Sequence, residues 1–391
     1  FEFTYQSEQL AEYIIPPLFS VYKLYSIRYP FENTSLGRRR PLVNKAIIDA
    51  INNGTLIVNY IGHGSPDLWA DEQIFDISLA LPQMKNDKLF FLCAATCDFG
   101  YFDFIEKQSA AEKLLLNEKY GIIAGIAFNR PVFGNDNAII LYHLFDSLFR
   151  YDKNLQGYFD YNKSAGLGVF KLKQVKVGFA TQKLIYFGDP TLVLQVPRYY
   201  VSIDSVNGQM ISSDEIKISA LQDVKINASS LNITKGVGET TVLDAYRQEF
   251  IKPLNKYIKD KGGVIYRGKA TIKNGKIEDK FIVPKDISYS DQKGKVFVYF
   301  YDENSKSDGI GVFTNIKLDG LDTTKTFNDT KGPKIEIFFD NIGNSFGRIV
   351  NSNLKLLIKL EDESGINTTG LGLGHKLEAI LNDEEKNSID L

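Results

Sequence analysis

The chain has 391 residues, of which 43% are hydrophobic and 24% are charged, and its formal net charge is −2. This is the composition of a globular protein with roughly two to four domains. With this near-neutral charge, nothing argues for binding to nucleic acids or to anionic membrane surfaces. The chain begins with Phe1, shows no signal peptide or apolar run of transmembrane length, and ends inside a β-rich region. We therefore expect a fragment, truncated at both ends, of a longer protein.

Helices and strands are predicted to alternate over the first half of the chain. Gln6–Ile15 has an amphipathic pattern and precedes two prolines, and Val21–Ile27 has the composition of a strand. Pro41 and Gly54 mark the two ends of the next helix. The later predictions are strands Leu56–Ile61, Lys88–Ala95 and Tyr120–Phe128, a short helix Asp76–Met84, a helix from the capping box Ser109–Glu112 to Asn117, helices Asn135–Arg150 and Ser164–Thr181, and a strand pair Leu184–Phe187 and Leu192–Val196. This order predicts an α/β domain over residues 1–197, with a largely parallel sheet covered on both faces.

After Pro197 the pattern changes to short alternating strands separated by turn residues. Asn274-Gly275 lies between two alternating segments, which predicts a hairpin with a type I′ turn, and Val296–Tyr301 alternates cleanly. Residues 198–330 are therefore predicted to form an antiparallel β-sandwich domain. Phe327–Pro333 is a polar linker, and residues 331–391 are predicted to begin a second, truncated β-module of the Ig-like or FlgD-like kind.

The two cysteines, Cys93 and Cys97, are not expected to pair with each other. Four residues along an extended strand separate Cα atoms by about 13 Å, beyond the ~7 Å that a disulfide can span. Two cysteines and three scattered histidines also give no zinc cluster. Cys93 lies inside an apolar strand, where an inert core thiol is expected.

Two reactive side chains follow neighbouring predicted strands. His63 lies between two glycines just after Leu56–Ile61, and Cys97 follows Lys88–Ala95. An open α/β sheet places its chemistry at the carboxyl ends of its strands. A thiolate is a nucleophile, and an adjacent imidazole can take its proton and return it to a leaving amine. The backbone amides of Gly64 and Cys97 are the candidate oxyanion donors. The alternative is that the His63 and Cys97 side chains each have a structural role.

The surrounding residues resemble the gingipain-type cysteine peptidases of family C25. The motifs that carry the resemblance are Asn59-Tyr60-Ile61-Gly62-His63-Gly64-Ser65, Trp69-Ala70, Ala95-Thr96-Cys97-Asp98-Phe99-Gly100, Phe102-Asp103, Gly188-Asp189-Pro190, Val283-Pro284-Lys285-Asp286-Ile287 and Gly365-Ile366-Asn367-Thr368-Thr369-Gly370. They span nearly the whole chain. The resemblance implies a caspase-like α/β/α catalytic domain with Cys97 and His63 as its dyad.

Within family C25 the resemblance is strongest to the sortases of type IX secretion systems. It implies removal of a C-terminal sorting domain from secreted cargo proteins and transfer of the new carboxyl end to anionic lipopolysaccharide. It also implies a place at the outer-membrane surface of a Gram-negative bacterium and an anchor protein resembling PorV. The alternatives are a secreted cysteine endopeptidase that only hydrolyses its substrate, and a non-catalytic surface scaffold whose β-modules bind partners.

Four further side chains near the dyad have predicted roles. Asp71 or Glu72 orients His63 as a third catalytic group, or both are solvated loop charges. Trp69 and Phe99 are predicted to wall the substrate cleft, with packing under the loop as the alternative for Trp69. No cofactor is required by the predicted chemistry. Calcium is implied only by the family resemblance, and Asp98 and Asp103 are too few to define a site.

Overall fold

The structure, a computed structural model, describes residues 2–35, 37–149, 164–175, 178–212, 214–324, 332–339 and 356–362, with the backbone of two further short strands. The chain divides into two compact units, named here unit 1 (Phe1–Arg198 and Phe250–Ile258) and unit 2 (Tyr199–Glu249 and Lys259–Leu391). Within unit 1, Ile251 and Ile258 pack with Tyr25. A short segment that the sequence placed in the second domain therefore belongs to the first unit.

Unit 1 begins with an amphipathic helix, as predicted, which ends in a π-helical turn at Leu10–Ile14. Its α-helices are α1 (Glu2–Gln9), α2 (Pro41–Asn52), α3 (Ile77–Ala80), α4 (Ala110–Leu115), α5 (Gly134–Phe149), α6 (Ala165–Val175) and α7 (Phe179–Lys183). The predicted capping box opens α4, because Ser109 and Glu112 each bond the other's backbone amide. Pro41 stands at the start of α2, where its missing N–H costs no helical hydrogen bond.

The strands of unit 1 are β1 (Glu32–Thr34), β2 (Gly37–Arg39), β3 (Ile57–Ile61), β4 (Leu68–Trp69), β5 (Phe75–Asp76), β6 (Phe90–Ala95), β7 (Ile122–Phe128) and β8 (Leu184–Gly188). The central sheet has the order β3-β6-β7-β8, with β3, β6 and β7 parallel and β8 antiparallel. This confirms the predicted largely parallel sheet.

Strand β6 is buried at all of its positions, as expected for a parallel strand covered on both faces. Phe90, Leu92 and Ala94 face a core that includes residues of α2, α3 and α4. Phe91 and Cys93 alternate to the other face, and α5 packs against β3 and β6. Strand β6 is therefore enclosed on both faces, and the residues after it that are available for chemistry lie beyond its carboxyl end.

Two strand predictions in unit 1 are wrong. Val21–Ile27 is irregular with a 3₁₀ turn at Ser26–Arg28, and Lys23 is held there by Glu8 and Glu12 at 2.9 and 3.0 Å. Leu192–Val196 is also irregular. The Leu192 carbonyl accepts the Ala165 N–H at the start of α6 instead of pairing with a strand. In both places a tertiary partner replaces the neighbouring strand that a β-conformation requires.

Residues 164–181, predicted as one helix, contain two helices, α6 and α7. Residues 176 and 177 lie outside the described part, and α7 begins after Gly178. Strand β8 pairs with β7 rather than with the segment after the Gly188-Asp189-Pro190 turn. The antiparallel edge strand therefore closes the sheet on the side away from β3.

Unit 2 is built from strands, most of them antiparallel. They are β9 (Tyr199–Tyr200), β10 (Ser202–Val206), β11 (Gln209–Met210), β12 (Ile216–Ala220), β13 (Asp223–Ser229), β14 (Lys235–Leu243), β15 (Arg247–Ile251), β16 (Lys256–Asp260), β17 (Val264–Lys273), β18 (Lys276–Ile282), β19 (Lys293–Asp302), β20 (Ser307–Leu321), β21 (Lys334–Phe339), β22 (Leu356–Glu361), β23 (Glu378–Ile380) and β24 (Ser388–Asp390). The hairpin β15–β16 crosses the division between the units.

The main sheet of unit 2 runs β11-β10-β13-β18-β17-β14-β19-β20-β12, and β9 and β12 pair with β20 in parallel. Residues from both ends of this order, including Ile203 on β10 and Ile218 on β12, share one apolar core. The sheet therefore curls around that core. The predicted Asn274-Gly275 hairpin is confirmed, because both residues have positive φ, as a type I′ turn requires.

Beyond Leu321 the description is partial. Strands β21 and β22 form an antiparallel pair, as do β23 and β24. Most of the predicted linker Phe327–Pro333 and the whole Gly365–Gly370 motif lie outside the described residues. In the described part of the chain, no helix combines the length and apolar character needed to cross a membrane.

Candidate active site

The parallel pairing of β3 and β6 determines where the two reactive side chains lie. Ile57 pairs with Phe91 and Ile61 pairs with Ala95, so partners differ by 34 in residue number. His63 and Cys97 differ by the same 34, and each lies two residues beyond the last pair. Adjacent strands in a sheet are about 4.8 Å apart. The register therefore brings the two residues to equivalent positions at the carboxyl edge of the sheet.

The two strands separate just before these residues. The last bond of their ladder runs from the Gly62 N–H to the Ala95 carbonyl at 3.4 Å. The same register would next use the amides of Cys97 and Gly64, and among the described hydrogen bonds neither amide has an acceptor. Two unpaired amides at the nucleophile are what an oxyanion hole needs. The assignment of Gly64 and Cys97 to that role stays a prediction.

Among the described residues, the polar neighbour of the Cys97 sulfur is the backbone of Val132. The Val132 N–H lies 3.4 Å from the sulfur, and the Val132 carbonyl lies 3.6 Å from it. The amide can donate to a thiolate, and the carbonyl can accept from a thiol. Val132 was absent from the sequence predictions, because a backbone group carries no side-chain signature.

The next residue, Asp98, has a φ of +58°. Residues with a side chain rarely adopt this left-handed conformation, although Asp adopts it more readily than most. It turns the chain sharply away from β6 directly after Cys97, in the manner of the tight turns that expose other catalytic nucleophiles. The turn is held by the Tyr101 N–H, which donates to the Asp98 carbonyl at 3.0 Å.

His63 is exposed and lies at the start of a tight loop. Its ring meets the edge of the Phe3 ring, with centroids 5.1 Å apart. Its carbonyl accepts two hydrogen bonds of 2.8 Å, one from the Ala70 N–H and one from the Tyr60 hydroxyl. The loop closes through the pairing of Gly64 with Trp69.

Gly64 lies too close to Thr96 for any side chain. A Cβ added at Gly64 would lie 2.4 Å from the Thr96 hydroxyl oxygen and 2.9 Å from the Leu68 carbonyl. Thr96 is fully buried between Ala95 and Cys97. The loop that carries His63 therefore approaches the backbone that carries Cys97 as closely as it does only because residue 64 is glycine.

The predicted roles of Asp71 and Glu72 are not supported by a described contact. Among the hydrogen bonds that the structure describes, none joins either carboxylate to the His63 ring. Both carboxylates instead lie near Tyr60, where burial first and their charges second raise the pKa of the Tyr60 hydroxyl. The role of either residue in orienting His63 stays a prediction.

Trp69 and Phe99 do not form the exposed cleft wall that the sequence analysis predicts. Trp69 is 2% exposed and Phe99 is fully buried, and both belong to the main core of unit 1. Trp69 stacks on Tyr60 at 4.4 Å and on Phe75 at 4.6 Å. A cavity of about 910 Å³ borders His63, Asp71 and Glu72, and Trp69 reaches it with only its small exposed fraction. The two aromatic side chains therefore support the site from within the core. Burial of their large apolar surfaces stabilises the fold more than exposure in a cleft would.

The acidic residues considered for calcium have basic partners. Asp103 receives two hydrogen bonds from the Arg130 guanidinium, at 2.8 and 2.6 Å, and this lowers the pKa of its carboxyl. Burial raises the pKa of Asp98, while Arg130 and Lys183 oppose that effect. In the described part of the chain no group of three or more potential ligands is assembled. Cys93 is fully buried, as expected for a core thiol, and burial raises its pKa.

Comparison with known proteins identifies the family of the chain. The family model described as "Peptidase family C25" matches residues 2–195, and the chain belongs to this family of cysteine peptidases. The three-layered domain with a largely parallel sheet fits the caspase-like fold that this family implies.

Among solved structures, the chain is similar to dimeric latent PorU from Porphyromonas gingivalis. The two share 22% sequence identity with a TM-score of 0.38, over 70% of this chain and 27% of that chain. The chain therefore spans about a quarter of the length of that protein. No curated protein matches it.

Proposed function

We propose that unit 1 is an acyl-transfer enzyme with Cys97 as nucleophile and His63 as general base and acid. The Cys97 thiolate attacks a peptide carbonyl, His63 delivers the proton to the leaving amine, and a thioester remains on Cys97. The amides of Gly64 and Cys97 hold the oxyanion of the tetrahedral intermediate. The observation that supports this most directly is the β3–β6 register, which carries His63 to Cys97 at the end of two parallel strands.

The proposed reaction is that of a type IX secretion system sortase at the cell surface. The substrate is a secreted cargo protein, whose C-terminal sorting domain leaves as the amine. The acceptor of the new carboxyl end is anionic lipopolysaccharide, and the enzyme is held at the outer membrane by a protein resembling PorV. Support comes from membership of family C25 and from the motifs around His63 and Cys97 that resemble these sortases.

Transfer requires that the acceptor compete with water for the thioester. Water is present at about 55 M, and a well-positioned acceptor gains effective molarities of roughly 10⁵ M or more. An acceptor bound beside His63 therefore wins even when it is scarce. The cavity of about 910 Å³ that borders His63 is where we propose that the reacting end of the acceptor binds.

Hydrolysis is the second candidate reaction, and one observation favours it. His63 is exposed, and the two aromatic side chains expected to shield the thioester, Trp69 and Phe99, are buried in the core. Water therefore has access to the dyad from the His63 side. In this reading the protein is an endopeptidase that forms the same thioester and releases a free carboxylate.

The mature C-terminus of a cargo protein distinguishes the two reactions. We expect mass spectrometry of cargo incubated with the enzyme and lipopolysaccharide to show an adduct on the new C-terminal carboxyl. The Cys97→Ala variant should leave the cargo uncut, and the Cys93→Ala variant should process it normally. If the wild-type enzyme yields only free carboxylate with the acceptor present, the transferase proposal fails and the endopeptidase replaces it. If the wild-type enzyme leaves the cargo uncut, both the transferase and the endopeptidase proposals are overturned.

A further inference from the structure

The Tyr60 side chain connects β3 to the loop that carries His63. Its hydroxyl donates to the His63 carbonyl at 2.8 Å, three residues further along the chain. To reach it, the side chain folds back over Gly62, where an added Cβ would lie 2.2 Å from the hydroxyl oxygen. The glycine before His63 is therefore required by the tyrosine two residues earlier.

The ring of Tyr60 is held as firmly as its hydroxyl. It stacks on Trp69 with ring centroids 4.4 Å apart and planes inclined by 8°. Trp69 is almost fully buried and is itself stacked on Phe75. The position of the Tyr60 hydroxyl is therefore fixed by the packing of its ring against the core of unit 1.

The bond from Tyr60 constrains a whole peptide group. The His63 carbonyl accepts both the Tyr60 hydroxyl and the Ala70 N–H, each at 2.8 Å, which uses its two lone pairs. The carbonyl and the Gly64 N–H belong to one planar trans peptide unit and point in opposite directions. Holding the carbonyl inside the loop therefore turns the Gly64 N–H outward.

We propose that Tyr60 is a positioning residue for the Gly64 amide, which its hydroxyl aims as an oxyanion donor by holding the His63 carbonyl. This role rests on the proposed function, because it needs a tetrahedral intermediate on Cys97. It extends that function to a residue two positions before the Gly-His-Gly sequence. Burial and the nearby Glu72 and Asp71 carboxylates raise the pKa of the hydroxyl, so it stays protonated and keeps donating at neutral pH.

Two reactions of the Cys97 thiol distinguish the proposed positioning of the Gly64 amide by Tyr60 from a general effect of Tyr60 on the reactivity of the thiol. Alkylation by iodoacetamide forms a C–S bond and expels iodide without an oxyanion. Acylation by 4-nitrophenyl acetate adds the thiolate to the carbonyl carbon, passes through an oxyanion, and expels 4-nitrophenolate with the electron pair of the broken C–O bond. Losing one oxyanion donor costs roughly 10²–10³-fold, and a misdirected donor should cost less. We expect Tyr60→Phe to lower the ratio of acylation to alkylation rates at Cys97 about ten-fold.

The matched control is Tyr186→Phe. The Tyr186 hydroxyl donates to the Asp189 carbonyl at 2.8 Å, also three residues further along, but from β8 on the far side of the sheet. It should leave the ratio unchanged. Both rates are measured on the full 391-residue chain and corrected for Cys93 with Cys97→Ala. Each variant is first shown to be folded by circular dichroism, because an unfolded chain exposes both thiols to alkylation and would change the ratio.

An unchanged ratio in Tyr60→Phe overturns the positioning role, whether the two rates stay constant or fall together. A ratio that falls equally in Tyr186→Phe also overturns it. A wild-type chain that is alkylated at Cys97 but never acylated there instead overturns the proposed function, and the role of Tyr60 with it.

Discussion

The sheet of unit 1 and the main sheet of unit 2 place their strand ends differently. In unit 1, β3, β6 and β7 run parallel, so their carboxyl ends meet at one edge. In unit 2 most neighbours are antiparallel, so strand ends alternate between two edges. The residues after β3 and β6 are thereby concentrated at one place, and the two residues of the proposed dyad, His63 and Cys97, lie there.

The two sheets also bury their polar groups for different purposes. In unit 2, buried Asp244 accepts two hydrogen bonds from Ser288, and Asp279 accepts one from the Tyr266 hydroxyl. These bonds satisfy the Oδ2 atom of Asp244 and the Oδ1 atom of Asp279, which have left water, whereas Oδ2 of Asp279 is buried without a described partner. In unit 1, the Gly64 and Cys97 amides at the sheet edge have no acceptor among the described hydrogen bonds. Amides left unpaired at a parallel edge have the position that the proposed oxyanion donors require, whereas the hydrogen-bonded carboxylates inside the unit 2 sheet have a structural role.

The largest expected effect distinguishes Cys97, at the edge of the unit 1 sheet, from Cys93, in its interior. Cys97→Ala should abolish thioester formation and lower the rate of cargo cleavage by on the order of 10⁴-fold or more, because it removes the nucleophile. Cys93→Ala should keep activity and lower the free energy of unfolding by about 1 kcal/mol, because it empties a small volume in β6. Rates and urea unfolding of both variants provide the test. An inactive, stably folded Cys93→Ala variant beside an active Cys97→Ala variant would show that the dyad is misassigned.

A second variant should disturb the edge without removing a reactive group. Gly64→Ala places a Cβ 2.4 Å from the Thr96 hydroxyl, so the loop carrying His63 must move. A displacement of about 1 Å near a reacting centre can cost roughly 10²-fold in rate, and we expect kcat to fall by about that much with little change in KM.

Two further variants in unit 1 test the result for Gly64→Ala, one as a control and one as a rescue. Gly178→Ala meets no atom within 4 Å and should be silent. Adding Thr96→Ala to Gly64→Ala removes the clashing hydroxyl and should restore part of the lost rate. A Gly64→Ala enzyme with normal kcat would mean that the close approach has no part in catalysis.

The smallest expected effect lies in unit 2 and should not reach the site. Gly275 has a φ of +74°, and a Cβ there would lie 2.4 Å from the Ser230 carbonyl. Gly275→Ala should lower the free energy of unfolding by about 1–3 kcal/mol and leave the acylation rate unchanged. Gly208→Ala, with φ +76° but open space around it, should cost less because it adds only backbone strain. Denaturant unfolding with parallel rate measurements checks both, and a matching loss of activity would contradict the separation of the two sheets.

Much of the fold was predictable because its signals are local. The apolar residues of β6, the Pro41 start of α2, the capping box of α4 and the Asn274-Gly275 turn each depend on a few adjacent residues. The juxtaposition of His63 and Cys97 was predictable as well, because parallel strands share an edge. These features need only the periodicity of the chain and the chemistry of single side chains.

Other features depended on partners far away in the chain. Val21–Ile27 and Leu192–Val196 have the composition of strands, but none of the described strands pairs with them. Trp69 was predicted to line a cleft and is instead buried, since Phe75 and Phe99 are brought against it. Composition specifies what a segment can form, and the available neighbour decides which form it takes.

The sequence by itself determined the family, the alternation of strands and helices, and the two reactive side chains. Only the tertiary structure decided which backbone groups surround them. The Val132 amide at Cys97 and the Tyr60 bond to the His63 carbonyl follow from the packing of α5 and from the return of the loop onto β3. Backbone amides and carbonyls are the same at every residue, so their positions are set by the fold and leave no mark on the sequence.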